Sequence, residues 1–84
     1  MGQITKRKAN ICGKRVKLAR IEQELDQVEL SAALSVDHNV EIAQTSISEI
    51  ERGMRGIRDY ELAAISKALK VSIDWLVFGD KRIR

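Results

Sequence analysis

Few side chains in this sequence are equipped for covalent or metal chemistry, and their spacing argues against both. Cys12 is the one cysteine, which excludes an intrachain disulfide framework and a cysteine-rich zinc site. It falls on the apolar side of a helical repeat with no histidine placed to activate it, so its thiol reads as a buried structural group. His38 is the one histidine, with Asp37 and Glu41 nearby. One imidazole and two carboxylates, with no second His or Cys, make a weak metal site, and His38 reads as a solvated loop residue. No Gly-rich phosphate loop, nucleophile elbow or His-Glu zinc motif occurs. Catalysis, a cofactor and a metal are not expected.

What remains is charge. The net value is only +3, but the order is blocked. Residues 1–20 carry seven cations and no anion; residues 21–51 carry eight anions and no cation. Arg52, Arg55 and Arg58 follow in a short loop, and Lys81, Arg82 and Arg84 end the chain. Basic blocks at both ends and in the middle, brought to one surface by folding, would attract a polyanion. Taken alone, the two basic ends equally read as solubility devices.

These groups need a scaffold, and 84 residues supply one small core. With 44 % hydrophobic residues, no proline and no sustained strand alternation, the expected class is all-α. No run of 18 apolar residues exists, so no membrane span is expected, and the basic start lacks the apolar stretch of a secretory signal. A cytoplasmic protein is expected. Residues 1–10 read as a flexible basic arm, 11–80 as the folded domain and 81–84 as a basic tail.

Five helices are predicted. Cys12, Val16 and Ala19 share one face of a first helix that ends near Glu24. Asp26 and Glu29 form a capping box for a second, in which Leu30 and Leu34 stack before Ser35 and Val36 close it. Val40, Ala43, Ile47 and Ile50 make one stripe, predicting a third helix over about 40–52, capped by Asp37 or Asn39 and ended by Gly53. Asp59 caps a fourth, with Leu62, Ile65 and Leu69 inward. Ser72 caps a short fifth, Gly79 stops it, and Trp75 with Phe78 reads as core closing the bundle.

Laid out in this way, the chain resembles the Cro and phage-repressor (Xre-type) helix-turn-helix family, with its lambda-repressor-like domain. The residues that carry the resemblance are GKRVKLAR (13–20), LDQVELS (25–31), QTSISEIERG (44–53), ELAAISKALKVS (61–72) and IDWLVFGD (73–80). It implies a compact five-helix bundle whose second and third helices form the DNA-binding pair, the third lying in the major groove. By position, Gln44, Thr45, Ser48 and Glu49 are then the base-contacting residues. Gln27 would touch a phosphate and brace Gln44, while Arg52, with Arg55 or Arg58, would hold the DNA backbone. The chemistry agrees: Gln matches the N6 and N7 edge of adenine, the Thr methyl suits thymine, and Glu accepts from cytosine N4. The four also lie on the face opposite the stripe.

Several positions depart from the family pattern. Glu24, Ser35 and Lys70 stand where it usually has glycine in a left-handed turn. Ser31 takes a small-residue position between the paired helices and fits if its hydroxyl bonds a carbonyl one turn back. Residues Asp37 to Ile42 lengthen the link by about six. The stripe favours an extra turn on the third helix; the alternative is a bulge that leaves that helix unchanged. Arg20 and Glu51 match a pair that ties the first helix to the third, a structural device.

The expected function is a sequence-specific, double-stranded DNA-binding transcriptional regulator, acting as a homodimer and repressing by promoter occupancy. The segment VSIDWLVF (71–78) lies where this family often self-associates. The rival reading is a protein-interaction module or antitoxin of the same fold, whose acidic stretch from Glu22 to Glu51 takes a basic partner protein.

Overall fold

The computed structural model describes residues 8–79. Five helices follow in order: α1 Gly13–Glu22, α2 Gln27–His38, α3 Gln44–Glu51, α4 Asp59–Leu69 and α5 Ile73–Phe78. No strand occurs among the described residues. The all-α, five-helix expectation holds. α2 packs on α3 and α4, α1 packs on α3 and α4, and α5 closes against α4. Among the described residues no helix is long and apolar enough to cross a membrane. The arm residues 1–7 and the tail 81–84 lie outside the described residues.

The core is built from the residues that the helical periods select. Val16, Leu30, Leu34, Ile47, Ile50, Ile65, Leu69 and Leu76 are its largest fully buried side chains, each stabilising the fold by about 1.5–3 kcal/mol through burial. Cys12 joins them, and burial pushes its thiol pKa up. The capping box of α2 is formed: Glu29 N–H donates to Asp26 Oδ1 at 2.7 Å, and Asp26 N–H to Glu29 Oε1 at 2.8 Å. Ser72 caps α5 by accepting from Trp75 N–H at 2.9 Å. Gly53 and Gly79 end α3 and α5 with positive φ of 76° and 62°.

The structure corrects the sequence at the α2–α3 link. α2 continues to His38, so Ser35 and Val36 do not close it and Ser35 makes no left-handed turn. Asn39 takes that turn instead, with φ 56°, a conformation that Asn tolerates better than most residues. The link then runs non-helically to Ala43, and α3 starts only at Gln44. The predicted extra turn on the third helix is therefore absent, and neither Asp37 nor Asn39 caps it. The physical reason is Ile42. A helix through 40–43 would turn Ile42 about 140° from Ile47, toward solvent. In the extended link Ile42 is buried, and its carbonyl accepts from Ser31 Oγ at 2.6 Å. Ser31 thus bonds the link rather than its own helix. Ala43, assigned to the stripe, is exposed.

Three smaller corrections follow. Arg58, not Asp59, is the N-cap of α4, and its N–H donates to Glu61 Oε1 at 2.9 Å. Phe78 is 75 % exposed, so Leu76 rather than Phe78 closes the core, with Trp75 only partly buried. His38 is the last residue of α2, not a loop residue. Glu24 and Lys70 do turn left-handed, each with φ 60°.

Asn10 and Gly13 decide how α1 meets α3. Asn10 Oδ1 accepts from the N–H groups of Cys12 and Gly13 at 2.8 and 2.7 Å, while its Nδ2 donates to the carbonyls of Ile50 and Arg55. Ala9 N–H bonds Gly53 O at 2.9 Å, so the inner end of the basic arm is fastened to the bundle. A Cβ on Gly13 would run into the carbonyl of Ile50 and lie 2.9 Å from that of Glu51. Both obstacles are backbone, which cannot swing aside. Gly13→Ala is therefore expected to destabilise by about 1–3 kcal/mol in urea unfolding. Gly56→Ala, whose Cβ meets nothing closer than Ala9 O at 3.7 Å, should change stability by less than about 0.5 kcal/mol.

Candidate nucleic-acid interface

α3 has one face in the core and one in water. Ile47, Ile50 and Glu51 are buried; Gln44, Thr45 and Glu49 are exposed, and Ser48 is half-buried beside them. A helix of eight residues would not persist alone in water. Its position comes from its apolar face and from a polar chain that begins in the interior.

That chain starts at Arg20. Its Nε donates to Glu51 Oε2 at 2.6 Å and its Nη2 to Glu51 Oε1 at 3.0 Å, a two-pronged ion pair between α1 and α3. Nη1 donates to Leu25 O at 2.8 Å, holding the turn that Glu24 makes before α2. The Glu51 hydrogen bond raises the Arg20 pKa above its ordinary value. Both side chains are nearly shielded from solvent, where loss of one partner typically costs about 3–5 kcal/mol. Gln27, the first residue of α2, donates from Nε2 to Glu51 Oε1 at 2.9 Å. Gln44, the first residue of α3, donates from Nε2 to Gln27 Oε1 at 2.6 Å. One unbroken series, Arg20–Glu51–Gln27–Gln44, runs from the buried pair to the exposed face.

The loop arginines differ in what they are free to do. Arg52 is exposed, with its Nε 3.3 Å from Ser48 O. Arg58 is exposed, and its Nη1 lies 3.4 Å from the Tyr60 hydroxyl. Arg55 is committed: Nη1 and Nη2 each donate to the Glu61 carboxylate at 3.0 Å, and Nη1 also reaches Gly56 O. This places Arg55 as a brace of the loop after α3. Arg15 is another cation with internal work. It donates from Nε to Leu76 O and from Nη2 to Val77 O, capping the carboxyl end of α5.

Sequence reasoning missed Asn10, Arg15 and Glu61. Each acts across more than 30 residues or through a loop, so no local period announces it. On the link, Ser35 Oγ donates to Glu41 Oε2 at 2.6 Å, which holds that carboxylate against α2.

Comparison with known proteins follows the same outline. A helix-turn-helix family model matches residues 16–76. Among solved structures, the chain is similar to the P22 c2 repressor protein, determined in complex with synthetic operator 9T in the presence of Tl+. The two share 28 % identity with a TM-score of 0.71, over 84 % of this chain and 98 % of that one. No curated protein matches by sequence.

The Arg55–Glu61 pair yields a pH prediction. Arg55 holds the Glu61 carboxyl below the ordinary glutamate pKa, helped by the Arg58 backbone N–H and opposed by burial. A depressed folded value stabilises the fold above the unfolded pKa, near about 4.3. That stabilisation is lost as pH falls through the lower folded value. In urea titrations between about pH 7 and 3, Glu61→Gln should be less stable than wild type at neutrality and should lose less on acidification.

Proposed function

This chain belongs to the Cro/C1-type helix-turn-helix family, and from that premise we propose that it is a DNA-binding transcription regulator that reads duplex DNA with α3. The supporting observation is the exposed face of α3 with Gln44 braced from α2 by Gln27. Set into the major groove, Gln44 addresses adenine, Thr45 presents its methyl to thymine, Ser48 bonds either base type, and Glu49 accepts from cytosine N4. Gln27, through its backbone N–H at the start of α2, and the Arg52 and Arg58 side chains hold phosphates on either side. Arg55 adds charge nearby and, through Glu61, shapes the loop that carries Arg58. The similar P22 c2 repressor protein was solved on operator DNA, which supports carrying this geometry over.

The active species proposed is a dimer. Phe78 stands 75 % exposed at the end of α5, with Trp75 and Val77 only partly buried. Such an apolar group on a small domain fits a self-association surface for a second copy. Two copies would place their α3 helices in successive major grooves, about 34 Å apart. Occupying a promoter in this way would repress it.

Selection from a random duplex pool at about 0.15 M salt tests the reading. Enrichment of a two-fold symmetric site, with half-sites one turn apart, is the expected result. Absence of any enriched site would overturn it and favour a basic protein partner for the acidic α2–α3 surface. Two variants then separate roles. Gln44→Ala should lose about 1–3 kcal/mol of discrimination at one base pair while keeping nonspecific binding. Arg52→Ala should weaken binding to all duplexes alike and lower the salt slope by about 1.

A further inference from the structure

We infer that buried Glu51 dictates which exocyclic base group Gln44 accepts, by fixing the orientation of two successive carboxamides. The inference rests on the proposed role of Gln44 at a base edge. It concerns what sets the specificity of that contact. Glu51 and Gln27 are positioning residues here, since neither needs to touch a base.

The argument turns on which groups can only donate and which can only accept. A guanidinium only donates, and an ionised carboxylate only accepts. With Arg20 bound through two nitrogens, Glu51 is held as an acceptor. Gln27 reaches Glu51 Oε1 at 2.9 Å, so its NH2 group must face inward and its carbonyl outward. Gln44, 2.6 Å from that carbonyl, must in turn present its own NH2 group to Gln27. The two amides have no orientational choice left, although a carboxamide alone is nearly symmetric in shape. The direction of the whole series follows from the chemistry of its buried end.

The consequence lies on the exposed edge of Gln44. One amide hydrogen is spent on Gln27, leaving the second N–H beside the side, and Oε1 at the far end. That pair complements the N7 acceptor and N6 amine of adenine. A flipped Gln44 would set N–H against the position of the amine and its carbonyl against N7. It would lose both bonds to adenine and keep one, to the exocyclic carbonyl, at guanine or hypoxanthine, since N7 is an acceptor in every purine. The interior therefore selects amine over carbonyl at a base that it never contacts.

Glu51→Gln removes the fixed acceptor. Arg20 faces both oxygens of Glu51, and Gln27 shares Oε1 with Arg20 Nη2. A glutamine at 51 therefore sets an N–H against an Arg20 donor in either orientation and no longer offers Gln27 a fixed acceptor. Gln27, and Gln44 after it, are then free to take either orientation. Gln27→Met leaves the Arg20–Glu51 pair intact and simply frees Gln44, so it serves where loss of the buried charge unfolds the chain. Each variant is checked for folding by thermal melting. Binding is then measured to duplexes carrying adenine or hypoxanthine at the position that Gln44→Ala identifies.

Wild type should prefer adenine by about tenfold. Gln27→Met and folded Glu51→Gln should each reduce that preference below about threefold. If Glu51→Gln does not fold, the result with Gln27→Met decides. Retention of the full adenine preference in folded Gln27→Met or Glu51→Gln overturns the inference. If Gln44→Ala alters no base preference at any position, the proposed base contact itself has failed. The two failures are thus told apart by Gln44→Ala alone.

Discussion

The buried ion pair between Arg20 and Glu51 is the constraint on which the arrangement depends. Two charges taken from water are tolerable only when the geometry is good and the remaining lone pairs and protons are satisfied. Here Arg20 is bound by Glu51 through two nitrogens and by Leu25 O through the third, and Glu51 also accepts from Gln27. Among the described residues no buried side-chain polar atom lacks a partner. The pair thereby joins α1 to α3, the turn before α2, and the first residue of α2 in one network. A shift in any of these elements would strand a charge. That penalty makes the bundle specific where apolar packing alone would tolerate sliding.

A second fixed point lies at the opposite end of the α1–α3 contact. Gly13 lets the backbones of α1 and α3 meet directly, and Asn10 ties the carboxyl end of α3 to the start of α1. The short α3 is thus held at its end by backbone and along its length by Ile47, Ile50 and Glu51. Its outer face adds to that hold only through the Gln44–Gln27 hydrogen bond. Thr45 and Glu49 on that face are exposed and can change without touching the fold.

The arginines show why counting charge overstates what is available to a polyanion. Arg15, Arg20 and Arg55 are committed to carbonyls or carboxylates within the bundle. Arg52 and Arg58, flanking the same loop, are exposed. A planar fork of donors serves internal bracing and phosphate binding equally well. Only the position of Glu61, three residues past Arg58, assigns Arg55 to the first task.

Much of the fold was legible from local signals. The capping box at Asp26 and Glu29, the left-handed turns at Gly53 and Gly79, and the core positions Leu30, Leu34, Ile47 and Ile50 all follow from spacing and residue type. Those signals need only a few neighbouring residues. The face of α3 was legible in the same way, since a 3.6-residue period separates Gln44, Thr45, Ser48 and Glu49 from the buried stripe. Tertiary structure alone decided the rest. Val40 and Ala43 continue a helical period, yet burial of Ile42 and the Ser31 hydroxyl overrode it. Phe78 reads as core by type, but α5 turns Leu76 inward instead. The role of Arg55 and the orientation of Gln44 depend on partners brought together by folding, and no local period encodes a contact between distant residues.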